Sequence, residues 1–162
     1  MIPKFRAWHK ELGRMMLIEI MYFFFFDNEL EELELNDPVM NDHISVYPDE
    51  IVLMQSTGLK DKNGKEIFEG DVLKFNDEWA EYCYEGYVDG SVEGVNYVEV
   101  VKGEACFEFG KTRYPESSLF IRMEDERLTF AELIKSRDFE FEIIGNVWED
   151  GDLIDGKNTS EN

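Results

Sequence analysis

Gln55-Ser56-Thr57-Gly58-Leu59-Lys60-Asp61-Lys62-Asn63-Gly64-Lys65-Glu66-Ile67-Phe68-Glu69-Gly70-Asp71-Val72-Leu73-Lys74-Phe75 holds the densest turn chemistry of the chain, set between strand-forming runs. Asp61-Lys62-Asn63-Gly64 reads as a tight turn, because Asn tolerates a left-handed backbone and Gly accepts it without steric cost. Glu69-Gly70-Asp71 is a second reversal, after which Val72 to Phe75 resumes a strand pattern. Two reversals this close predict neighbouring antiparallel strands, the seed of a small β-barrel or roll.

Outward from this stretch, 162 residues suffice to bury a sizeable core in one domain. Hydrophobic content of 43% places the chain among folding sequences. Charge is the outlier: 37 acidic against 16 basic residues give a formal −21. Such a surface opposes nucleic-acid phosphates, whose binding draws on Lys and Arg, and it selects for basic protein partners.

Upstream, Lys4-Phe5-Arg6-Ala7-Trp8 alternates as a strand with Phe5 and Ala7 on one face, and Gly13 sits at a reversal needing positive φ. Met15 to Phe26 returns as a long strand. Glu19 interrupts its apolar run, which is also shorter than the roughly 20 residues of a membrane helix. The run therefore reads as soluble core, in a chain whose sparse cysteines lead one to expect a cytoplasmic protein. Phe23 to Phe26 cannot all face one side of a sheet, so part of them must be covered on both faces or lie in an interface. No Lys or Arg occurs from Met15 to Leu59. Within it, Asp27 to Asp42 reads either as a short acidic helix carrying Leu30 and Leu33 and ended by Pro38, or as a solvated loop. Ile44 to Pro48 and Ile51 to Gln55 read as extended.

Downstream, Glu78 to Val88 reads as an aromatic strand closed by a turn at Asp89-Gly90 and Gly94. Val95 to Val101, Ala105 to Phe109 and Ser118 to Met123 read as further strands. Thr129-Phe130-Ala131-Glu132 has capping-box spacing, predicting a helix over Thr129 to Ser136. Phe139 to Ile143 alternates as a strand, with Gly145 a bulge before Val147-Trp148. The expected fold is mainly β, an SH3-like barrel or roll with additional N-terminal strands and one short helix. Its single domain covers 1–150, with N-terminal strands over 1–54 and a barrel-like core over 55–150, and 151–162 form a flexible tail.

Three blocks in this order carry a resemblance: Lys4 to Trp8, Thr57 to Val72, and Phe141-Glu142-Ile143-Ile144-Gly145-Asn146-Val147-Trp148-Glu149. They resemble the YopX family of phage and prophage proteins, and their spacing spans almost the whole chain. Ser56 departs from the pattern where an aromatic is usual, and Phe23 to His43 looks expanded. The resemblance implies the SH3-like barrel and a phage or prophage origin. It implies no reaction and no functional residue to carry over.

The residues supply no catalytic, cofactor-binding or metal-binding assignment. Asp61-Lys62-Asn63-Gly64 superficially resembles a calcium loop, but its Gly comes two residues early and Lys60, Lys62 and Lys65 would repel the ion. His9 and His43 read as surface or turn residues, since so many acids make a nearby carboxylate uninformative. Cys83 and Cys106 read as reduced, partly buried thiols in preference to a disulfide, without metal-ligand spacing. Tyr82, Tyr84 and Tyr87 lack the basic neighbours of a nucleic-acid stacking platform, since Phe75 to Val101 contains no Lys or Arg. The expectation is a non-catalytic protein-interaction module whose partner has a basic surface, with self-association as a further mode, no nucleic acid and no membrane. A DNA-mimicking inhibitor and an enzyme of unrecognised type are the alternatives.

Overall fold

The computed structural model describes the backbone of residues 4–82 and 88–155, and side chains except those of 79–92. It divides into two compact units, the first ending at Ser56 and the second starting at Thr57.

The first unit is an antiparallel sheet built from β1 (Phe5–His9), β2 (Arg14–Phe23), β3 (Leu30–Asp37), β4 (Asp42–Val46) and the first half of β5 (Ile51–Lys60), in the order β4-β3-β2-β1-β5. Gly13 makes the β1–β2 reversal at φ 63°, as its position predicts. The acidic segment is neither helix nor loop. Leu33 and Leu35 recur with period two, and as β3 they sit fully buried beside Ala7, Met16, Val46 and Ile51, while Glu32 and Glu34 take the opposite face. Each Leu–acid alternation thus serves a half-buried strand.

β3 ends on Asp37, which is almost wholly buried. Its Oδ1 accepts from the Val39 and Met40 amides, closing the turn at Pro38, and its Oδ2 accepts from Arg14. Burial alone would raise the Asp37 pKa; those amides and Arg14 outweigh it and hold the carboxyl below its ordinary value.

In the second unit the Asp61–Gly64 turn forms as expected, with Gly64 at φ 82° and its amide 3.0 Å from the Asp61 carbonyl. β6 (Glu66–Phe68) pairs with the second half of β5. The next reversal does not extend that pairing. At Gly70, φ 86°, the chain leaves for a different sheet, and the buried Asp71 carboxylate caps the corner by accepting from the Phe68 amide at 2.8 Å. The second sheet is β10-β7-β8-β9, from β7 (Asp71–Tyr82), β8 (Val88–Lys102), β9 (Phe107–Thr112) and β10 (Glu142–Asn146). The expected barrel is therefore not seen: β6 and β7 part company at Gly70, and neither sheet closes on itself.

Several local expectations are corrected. Gly90 and Gly94 lie inside β8, opposite Glu81 and Asp77, because β7 and β8 form one long hairpin. The strand expected over Ala105 to Phe109 starts later and runs further, as β9, through Gly110, where an added Cβ would sit 2.7 Å from Glu99 Cγ. Ser118 to Met123 is helical as α1 (Ser118–Asp125), nucleated by Ser117 Oγ, which accepts from the Leu119 amide. Val147 and Trp148 open a helical turn, α3 (Val147–Asp150), capped by Asn146. Phe139 and Phe141 are buried but precede β10. A last turn, α4 (Asp152–Asp155), buries Ile154 within the segment whose composition predicts flexibility.

Helix α2 (Phe130–Lys135) forms with its predicted capping box, and Gly145 marks a register shift in β10. α1 and α2 contribute Leu119, Phe130, Leu133 and Ile134 to a core shared with Ile67, Leu73, Phe75, Val98 and Val100. Phe109 links its rings, stacked on Phe141 at 5.3 Å and tilted on Phe130 at 4.5 Å. Such ring pairs add about 0.5–1.5 kcal/mol each beyond their area burial.

Two outcomes follow. Leu35→Ala should cost about 2–5 kcal/mol in urea unfolding, the range for emptying a closed core site. A helix or loop at this position would tolerate it. Because the Asp37 pKa is depressed on folding, its stabilisation is complete above about pH 4, the unfolded-chain value, and is lost as pH falls through the lower folded value. Unfolding of Asp37→Asn against wild type should show a difference that shrinks in acid.

Candidate functional site

In the second unit a cleft of about 670 Å³ is lined by Asn76, Asp77, Glu78, Glu93, Ser118, Arg122, Asp138 and Phe139. Its central carboxylate, Asp77, is buried and its oxygens are occupied. Oδ1 accepts from the Glu78 amide at 2.7 Å and from the Ser118 amide and hydroxyl at 3.0 and 2.7 Å; Oδ2 accepts from Asn96 Nδ2 at 2.8 Å. Asn96, fully buried, also bonds the Tyr114 amide and carbonyl. The Ser118 hydroxyl is thus a donor holding the start of α1 against β7.

Arg122 is held in the same manner. Its Nε donates to Glu126 at 2.6 Å, its NH1 to Asp138 at 2.9 Å, and the guanidinium lies 5.1 Å from the Phe139 ring centre. The Glu126 bond, then that to Asp138, raises its pKa further. Carboxylates outnumber this one cation around the cleft, so its field favours a cationic side chain over an anion.

The residues singled out from sequence fall elsewhere. Asp61 Oδ1 accepts from the Asn63 and Lys65 amides and Oδ2 from the Ile143 amide, each at 2.9 Å, so the turn carboxylate is a backbone clamp. Lys62 N donates to the Phe141 carbonyl at 2.9 Å alongside it. Among the described residues no cluster of His, Cys, Asp or Glu has the makings of a metal site. His9 is buried, not at the surface, its Nδ1 accepting from the Leu12 amide in the β1–β2 turn. His43 is exposed and 2.7 Å from Glu19. Cys106 is exposed, contrary to its expected partial burial. Cys83, Tyr84 and Tyr87 lie outside the described residues, as does the Tyr82 side chain.

Phe23 to Phe26 are all exposed, Phe25 and Phe26 at 92% and 97%. β2 stops at Phe23, and a turn carries the remaining three. The Phe24 amide donates to Glu29 O at 2.8 Å, the Asn28 amide to Phe24 O at 3.0 Å, and Asp27 Oδ1 accepts from the Glu29 amide. Asn28 takes φ 61°, a left-handed value its side chain tolerates. Below the turn, β2 shows Leu17, Ile20 and Tyr22 on the outer face of the sheet. Tyr22 faces Glu32 and Ile20 faces Glu34 across the strand pair. Tyr22 also donates to Glu34 at 2.8 Å, which, ahead of burial, raises the phenol pKa. Sequence reading finds the aromatics but misses the carboxylate row, which becomes visible only once β3 is a strand.

Asp61→Ala should cost about 2–4 kcal/mol, since it removes the buried carboxylate that satisfies the Asn63, Lys65 and Ile143 amides. Gly64→Val has open space around its Cβ, so only the left-handed backbone strain, about 1–3 kcal/mol, opposes it. Chemical unfolding should rank the two substitutions in that order.

No match was found among curated proteins. A solved structure, protein EF1440 from Enterococcus faecalis, is similar at 28% identity and a TM-score of 0.55, over 96% of this chain and 99% of that one. No helix among the described residues is long and apolar enough to cross a membrane. The sequence profile described as YopX protein matches residues 4–155, nearly the entire length, and the chain belongs to the YopX protein family.

Proposed function

We propose that this chain is a phage- or prophage-encoded accessory protein that acts in the host cytoplasm by binding a protein with a basic surface, without catalysis of its own. The observation that carries this reading is the arrangement of charge. Across residues 15–59 and again across 75–101 there is no Lys or Arg. In the first of these segments the fold sorts Glu32 and Glu34 onto one face, beside exposed Ile20 and Tyr22. Polar groups in the cleft of the second unit are turned inward on one another, Asp77 to Ser118 and Asn96, Arg122 to Glu126 and Asp138. They support a scaffold role for that region.

The same face weighs against a DNA mimic. Phosphate imitation calls for a regular row of charge, whereas here apolar and aromatic side chains alternate with carboxylates across the strand pair.

A field of this sign speeds encounter with cationic partners and opposes polyanions, both effects fading as salt shortens the Debye length to roughly 8 Å at physiological strength. In gel-shift assays neither duplex nor single-stranded DNA should be retarded at moderate salt. A partner recovered by cross-linking in a lysogenic host should bind the purified protein with an association rate that falls as salt rises. Salt-sensitive DNA binding, or a partner with an acidic contact face, would overturn the proposal.

A further inference from the structure

The β2–β3 hairpin is an arm with an aromatic tip. Soluble monomers rarely leave large apolar surface uncovered, and four successive exposed phenylalanines, preceded on β2 by exposed Leu17, Ile20 and Tyr22, make such a surface. The tip is also built for presentation. Phe25 and Phe26 pack edge to face, ring centres 5.3 Å apart at 86°, on a turn closed by the Phe24–Glu29 and Asn28–Phe24 backbone bonds. Ordering costs that a floppy aromatic loop would meet on binding are thereby met in folding.

What would cover it is indicated by its surroundings. Asp27 and Glu29 lie on the turn itself, and Glu32 and Glu34 beside the exposed residues of β2, with no Lys or Arg between Met15 and Leu59. A second copy laid face to face on this arm would press those carboxylates against their counterparts in a contact being dehydrated, which is unfavourable. An anionic membrane surface would repel them equally. A basic rim around an apolar pocket matches both features at once.

We infer that this arm is the docking element for a protein partner presenting an apolar pocket rimmed by Lys and Arg, with Phe25 and Phe26 as anchors and the flanking carboxylates as the polar rim. This rests on the basic-partner reading above and places it on one element.

Synthetic amphipathic peptides reproduce the required chemistry: one alternating leucine and lysine, one alternating leucine and glutamate, and one of lysine alone. Fluorescence anisotropy at physiological salt should show the leucine–lysine peptide binding most tightly. Phe25→Ser combined with Phe26→Ser should weaken it at least about tenfold, as expected for anchor residues. Both side chains are exposed, so the thermal melt of this variant should match wild type. Glu32→Gln with Glu34→Gln should weaken binding and flatten its salt dependence. The lysine peptide should bind more weakly and be indifferent to the tip.

Leucine–lysine binding unchanged by the tip substitutions would overturn the arm assignment while leaving the basic-partner reading standing. Preference for the leucine–glutamate peptide, or no binding by any of the three, would overturn both. A wild-type dimer in sedimentation velocity that dissociates on the tip substitutions would give the arm to a second copy and overturn the inference too.

Discussion

The second unit depends on one carboxylate. Asp61 must satisfy the Asn63 and Lys65 amides of its own turn and, 82 residues further along, the Ile143 amide. Backbone donors removed from water need partners, and an ionised carboxylate is a strong one. The clamp fixes the approach to β10, and β10 then lies on β7 through the pairs Ile143–Leu73 and Asn146–Asp71. The Val147 amide bonds the Gly70 carbonyl at the sheet-changing corner. The central stretch around Asp61 to Asp71 and the C-terminal stretch around Phe141 to Val147 are therefore one structural assembly.

The first unit shows how composition and topology combine. Its excess of acid would be a general solubility feature were it spread evenly. Strand alternation sorts it, placing leucines inward and glutamates outward on β3, and the neighbouring β2 supplies apolar side chains to the same outer face. One buried acid is an exception. Asp37 points inward, and the guanidinium of Arg14 together with two amides makes that position tolerable.

Legibility in the sequence tracked the range of the interaction. Asp61–Gly64, Gly13 and the Thr129 capping box each depend on residues a few positions apart, and each could be read. β3 could not. Leu30 and Leu33 fit a helical spacing while Leu33 and Leu35 fit a strand, and only pairing with β2 decides between them. α1 looked like a strand because Leu119, Phe120 and Ile121 form an apolar run; its start is fixed by Asp77, 41 residues earlier. Gly90 and Gly94 resembled turn residues, yet they belong to a hairpin whose length is set by its partner strand. For the candidate site, the phenylalanines were evident and their acidic frame was not, for the same reason as β3.

The strand pair beneath those phenylalanines has two irregularities that offset each other. On β2 the register steps over Glu19, between the pairs Ile18–Leu35 and Ile20–Glu34; on β3 it steps over Glu31, between Tyr22–Glu32 and Phe23–Leu30. One surplus residue on each side leaves the ladder at the far end in the phase it had at the base. Each bulge bends the ribbon, tightens its twist and shifts the alternation of its own strand by one, which is why Leu17, Ile20 and Tyr22 share the outer face of β2. The direction in which the aromatic pair is aimed is accordingly set by two glutamates that pair with nothing across the ladder, and chain length at those two positions can re-aim the contact while leaving its chemistry intact.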